Sequence, residues 1–422
     1  MNARPLIALI VLLNMFSFGR TKKDSLLQAY SAALTDSARC TVLVDLIEEE
    51  NDNNIWPNYN RALYALADSG SKNAKTQSLR IFYLTVLSDA MVNNGYFKQA
   101  RNDFQGALED YHEALNIKLD VEDRPGVATV LNNMGFLFQS VANYSSAIKY
   151  YERCLRMQEE AGDKAGAAIT MMNLGSICAA QRDTTCFMEF VHQALAYRLT
   201  LNDKKGIANC YNDIAIVFVE RGEIVKGRSL LLKALELNRE IYNPDGIGNT
   251  LNNLGAAYQR LGNNNSAIEC FEEAAEVNRK NKDENGLSTS LVHLGRLYFA
   301  HNEINKALTL YKQAYEHAKI GGGLEARYRA SKQISLLYRS INRINDAAKL
   351  EREAQTLMDS INRKSPIPLV DISSYDNSND EPRIEQKAIN KTEAPNNLNL
   401  FLAAGLVISL GLFLAYFFVR KK

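Results

Sequence analysis

The sequence is poor in the features that announce chemistry. Its 49 Lys and Arg nearly balance 48 Asp and Glu, leaving a net charge of +1. There is no electrostatic bias toward nucleic acid, no basic stripe and no nucleic-acid-binding module. Pairs such as Lys204-Lys205 read as solvated loop charges. The five histidines, His112, His192, His293, His301 and His317, stand at unrelated phases. No Gly-x-Ser-x-Gly elbow, phosphate loop or metal-binding helix motif occurs, and the run Glu48-Glu49-Glu50 is most simply a solvated helix end. An enzyme is not expected, nor a cofactor. No nearby set of Cys and His has four-ligand spacing, which argues against zinc, and the six cysteines show no motif spacing. Cys154 and Cys178 occupy packing positions and read as small buried hydrophobes, with a bridge from Cys178 to Cys186 across one helical hairpin as the alternative.

What the sequence has is periodicity. A glycine returns every 40 residues, at Gly126, Gly166, Gly206, Gly246 and Gly286, and three residues before each stands Asp123, Asp163, Asp203, Asn243 or Asp283. Each polar residue and glycine marks an inter-helix loop. Small residues recur in phase at Gly135, Gly175, Ala215, Gly255 and Gly295, and again at Cys154, Ala194, Ala234, Ala274, Ala314 and Ala354. Between the breakers, apolar residues fall three and four apart, as in Leu251, Leu254, Tyr258 and Leu261, then Ala267, Ile268, Phe271 and Ala274. These are two helices separated by a turn at Gly262-Asn263-Asn264-Asn265. One such hairpin cannot bury its own apolar face, so the units must stack, and 46% hydrophobic content over 422 residues supplies the continuous core. The expectation is an all-α solenoid with six units over residues 86–363, preceded by a degenerate helical cap over 24–85. Within the cap, 38–50 and 59–68 read as helices with Trp56-Pro57 between them.

Leu251, Leu254-Gly255, Tyr258, Ala267, Phe271 and Ala274 lie at the signature spacing of tetratricopeptide repeats, and most other units fill the same positions. The chain resembles that family over roughly three quarters of its length. The resemblance implies a right-handed superhelix. The period of 40 exceeds the usual 34, and Arg279 stands where the family has its helix-closing proline. This is similar to the long-helix subgroup found in kinesin light chains and in adaptors of G-protein and spindle machinery. The third unit departs most, with Cys178 for an aromatic and Phe187 for a small residue, and wider or shifted packing is expected there.

The termini suggest where the solenoid works. An apolar run follows Arg4 and ends in Ser17-Phe18-Gly19, the pattern of a cleaved secretory leader over residues 1–19. Residues 400–419 carry no charge and are long enough for one transmembrane helix, with Arg420-Lys421-Lys422 as a short cytoplasmic tail. Residues 364–399, rich in Pro, Asn, Ser, Asp and Glu, read as a flexible linker. The repeats are then expected outside the cytoplasm, in a bacterial periplasm, on a single-pass membrane protein. This layout resembles the extracytoplasmic part of Bacteroidetes-like membrane sensors built on the same repeats.

In this family the first helix of each unit lines a concave groove. The resemblance places there the residue just before the Leu-Gly step, here Asn133, Asn173, Asp213, Asn253 and His293. Asn132, Asn212 and Asn252 stand one position earlier, and Asn209 and Asn249 a turn before. Asparagine is an unfavourable helix residue, so a ladder of it needs a reason. Two readings stand side by side: the amides hydrogen-bond the backbone of an extended peptide, or they link neighbouring helices. Arg296, Arg329 and Lys332 fall at groove-facing phases of the last units and are placed to meet a carboxylate or another acidic group. The functional expectation is a membrane-anchored scaffold binding a protein or peptide. The alternative is a sensory subunit of a signal-transduction system, acting through a separate cytoplasmic effector.

Overall fold

The computed structural model describes residues 21–50, 52 and 55–362, all within one unit of the chain, Met1–Val370. Among the described residues there are seventeen helices and no strand. Helices α1 (Lys22–Ala32), α2 (Asp36–Glu49) and α3 (Trp56–Asn73) lead into a series of hairpins. These are α4 (Gln77–Ala100) with α5 (Phe104–Asp120), α6 (Arg124–Ser140) with α7 (Tyr144–Ala161), and α8 (Lys164–Ala180) with α9 (Thr184–Thr200). There follow α10 (Lys204–Glu220) with α11 (Ile224–Glu240), α12 (Pro244–Arg260) with α13 (Asn264–Lys280), α14 (Glu284–Ala300) with α15 (Ile304–Ile320), and α16 (Leu324–Ser340) with α17 (Ile344–Asn362). That makes seven hairpins where six were expected, and the first begins at Gln77 rather than 86. Trp56-Pro57 does not separate two helices but opens α3, where the proline costs no hydrogen bond because the first-turn N–H groups have no intrahelical partner.

Each second helix packs on its own first helix and on the next one, while first helices of neighbouring hairpins also touch, most weakly between α8 and α10. The first helices therefore share one face of the stack, as the resemblance implies. No described helix is long and apolar enough to cross a membrane. The expected leader 1–19, linker 364–399, span 400–419 and tail 420–422 lie outside the described residues.

The turns explain the period and halve it. From Asn102 to Asn342 a residue with positive φ recurs every 20 residues, including Glu122, Gly162, Tyr242 and Lys282. This left-handed residue ends one helix, and the next N–H reaches back to a carbonyl of the last turn, as in Asp123 to Lys118 and Asp163 to Gln158. The residue after it caps the following helix. Asp123, Asp163, Asp203 and Asp283 each accept a hydrogen bond from the N–H of the glycine three residues on, at 2.9–3.0 Å. The periodic glycines thus lie inside the first helical turn, not in the loop. A Cβ there would strike the capping carboxylate and a side chain from the preceding helix, namely Lys118, Gln158, Arg198 or Asn278.

The second set of small residues receives rings. Tyr111, Tyr151, Phe271 and Tyr311 are fully buried, and each lies against the bare Cα of Gly95, Gly135, Gly255 or Gly295, where a Cβ would come within 2.5–2.6 Å. The third hairpin has buried Val191 at the ring position, and Gly175 has room to spare, its nearest neighbour at 3.4 Å. Here Cys178 and Cys186 form a disulfide, with Cα atoms 5.7 Å apart, joining the end of α8 to the start of α9. Cys178 is therefore not a free packing thiol. The bridge holds the turn that an aromatic on a small residue holds elsewhere. Cys40, Cys154, Cys210 and Cys270 remain buried thiols, and burial pushes each up to about 11, which keeps them unreactive.

Candidate functional site

The asparagines divide between the two roles. Asn173 donates to the Asn132 side-chain oxygen at 3.0 Å, and Asn253 donates to that of Asn212, also at 3.0 Å. Asn93 makes the same bond to Asn60 at 3.0 Å. The first two bonds link first helices of neighbouring hairpins, α6 to α8 and α10 to α12, and the third ties α3, which precedes the hairpins, to α4. Asn252 is buried, with its side-chain oxygen unpartnered. His293 stacks on Phe271, ring centroids 4.8 Å apart, instead of forming the corresponding link.

A second set of side chains opens onto a pocket of about 340 Å³ between α8, α10 and α12, lined by Asn173, Asn209, Asn212, Asp213 and Asn249 together with Ile169, Met172 and Arg198. Asn209 and Asn249 are exposed there. The pocket lining includes Asp213, whose carboxyl is pushed up to about 6 by burial, with a hydrogen bond from Asn212 pulling the other way. Arg198 leans on Asp203, while its Nε has no partner. Sequence reasoning missed Arg198, Ile169 and Met172. Ile169 shares the phase of Asn209 and Asn249 and could have been found by that; Arg198 comes from the end of a second helix, where no groove residue was sought. Asn132, Asn133, Asn252 and Asn253 lie outside this pocket.

Further along, Arg296, Arg329, Lys332 and His293 come together in a pocket of about 370 Å³ between α14 and α16. Burial, with the charges of Arg296 and Arg329 beside it, holds the His293 imidazole down at about 4, so it is neutral at pH 7. Ser288, Thr289, Tyr328 and Gln333 also line this pocket and were not foreseen. Among the described residues no cluster of three or more His, Cys, Asp or Glu is placed to hold a metal ion.

The tetratricopeptide repeat family matches residues 86–160, 206–280 and 246–320. These stretches of the chain are tetratricopeptide repeats. No curated protein matches it. Among solved structures, the repeat protein is similar to the apo form of the quorum sensor NprR from B. thuringiensis, with 12% identity over 79% of this chain and 92% of that one and a TM-score of 0.56. It is similar to apo RapI, with 16% identity, coverage of 65% and 99%, and a TM-score of 0.53. It is also similar to the Rap conjugation gene regulator of plasmid pLS20 in complex with a Phr peptide, with 14% identity, coverage of 82% and 96%, and a TM-score of 0.53. These likenesses establish a shared helical-repeat fold.

Proposed function

We propose that this protein is an extracytoplasmic, membrane-anchored scaffold that binds an extended peptide segment of a partner protein along the face formed by its first helices. The observation that carries the reading is the pocket between α8, α10 and α12. It is open to solvent and lined by amides that offer a donor and an acceptor at once, the complement of an unpaired peptide backbone. Ile169 and Met172 add an apolar wall for a side chain. A peptide occupies the similar fold of the pLS20 regulator, and the same kind of occupant is proposed here. The extracytoplasmic placement is supported by the apolar segments at 1–19 and 400–419 and by the Cys178–Cys186 disulfide, a bond that persists in oxidising compartments.

Because Asn253 is engaged with Asn212, a photo-crosslinking residue belongs at Asn249, with Tyr242 on an exposed turn as the control. In the native cell, position 249 should capture a discrete partner that position 242 does not. Asn209→Leu with Asn173→Leu should reduce that capture about tenfold or more, since each lost hydrogen bond costs roughly 0.5–1.5 kcal/mol and the second also loosens the pocket. Equal capture at both positions would defeat the proposal.

A further inference from the structure

The two pockets lie on the same face but differ in charge. The one between α8, α10 and α12 is built from amides, whereas the one between α14 and α16 presents Arg296, Arg329 and Lys332 on exposed side chains. Among the described residues, no carboxylate pairs with Arg296 or Lys332. Arg329 has only its exposed helix neighbour Glu325, at 2.7 Å, a pairing of the kind that contributes little in water. Lys332 lies against Tyr328, 3.4 Å from its hydroxyl. The same pocket is lined by Ser288, fully buried, with a hydroxyl that has no hydrogen-bond partner among the described residues. An orphaned buried hydroxyl is costly, and cations of which only Arg329 has an anionic partner repel one another. Both are relieved by one anionic group with several acceptor oxygens.

We infer that the α14–α16 pocket binds a carboxylate of the peptide, held by Arg296, Arg329 and Lys332 and by the Ser288 hydroxyl. This rests on the peptide-binding reading above and adds polarity to it, because the ligand must run with its acidic group toward α16. Adjacent packed helices lie about 8–10 Å apart, so the centres of the two pockets are separated by roughly 20–25 Å. An extended chain covers that in about seven residues at ~3.3 Å each. The carboxylate therefore sits about seven residues from the segment on the amides. His293, neutral beside the cations, adds no repulsion of its own and leaves the pocket charged through the three long side chains alone.

The test offers the full-length protein two pools of randomised dodecapeptides, one with a free C-terminal carboxylate and one amidated, and sequences what is retained. Retained peptides should be enriched in Asp or Glu, or confined to the free-acid pool, which tells a side-chain carboxylate from a terminal one. Changing Arg296, Arg329 and Lys332 together to Gln should abolish that enrichment and weaken retention of acidic peptides about tenfold, while non-acidic peptides are still held. These side chains are exposed, so the helical signal should not change. Ser288→Ala should lower retention of acidic peptides alone, by about threefold. Retention without acidic enrichment, or enrichment that survives the triple change, overturns the carboxylate pocket while the peptide groove stands. No retention of either pool overturns both.

Discussion

At the scale of the residue, Asp213 decides most. Its counterparts at the same phase are Asn133, Asn173, Asn253 and His293, all uncharged at pH 7, and Asp213 alone places an acid in the pocket lining. Its native carboxyl titrates near 6 against an ordinary 3.8. The folded protein thus binds this proton more tightly than the unfolded chain does, and stability falls as pH rises through that window. Asp213→Asn should accordingly raise stability at pH 7 by about 1–3 kcal/mol and by about half as much at pH 5, measured by urea denaturation at the two values. A gain of equal size at both pH values would show that burial is not the cause. The aspartate was legible in the sequence as a groove residue, but its titration was not, because that depends on how much water the pocket admits. The asparagines were ambiguous for a related reason. One amide serves a neighbour helix or a ligand equally well, and Asn173 and Asn212 do both, each engaged in a link between helices and each lining the pocket.

At the scale of the element, the hairpins were readable because their turn chemistry is carried by particular letters. A capping aspartate needs a side-chain oxygen, and the glycine after it must be bare to admit the preceding helix. The 20-residue half-period escaped notice because its left-handed residue has no fixed identity: Glu122, Tyr242 and Lys282 all accept the positive φ that glycine takes elsewhere. The span expected for the repeats, 86–363, already holds seven periods of 40, and only its start is late, because α4 opens at Gln77 without the aspartate and glycine pair and is capped by Thr76 instead. The third hairpin is the one element held covalently. Replacing Cys178 and Cys186 together by Ser should cost about 2.5 kcal/mol, the loop-closure value for the 8-residue separation. Hydrogen exchange should quicken around α8 and α9 first, because each hairpin leans only on its neighbours. Unchanged exchange there would mean that Val191 and the surrounding core already fix the turn.

At the scale of the whole molecule, the stack carries its own statement about compartment. If the repeats work outside the cytoplasm, Cys178 and Cys186 trapped with acid directly from growing cells should resist alkylation until reduced, whereas free thiols in that sample would place the repeats in a reducing compartment. The amide links add a mechanical consequence. They tie α3 to α4, α6 to α8 and α10 to α12, but between α8 and α10, where the first helices touch least, Met172 and Asp213 stand at the corresponding positions and no such link is formed among the described residues. The solenoid is then stiffened at some junctions of first helices and left compliant at others, and the amide pocket opens across a compliant one. A guest seated there would act as a wedge or a clasp on the bend, so that the pitch of the whole spring would be set at the place where the proposed peptide sits.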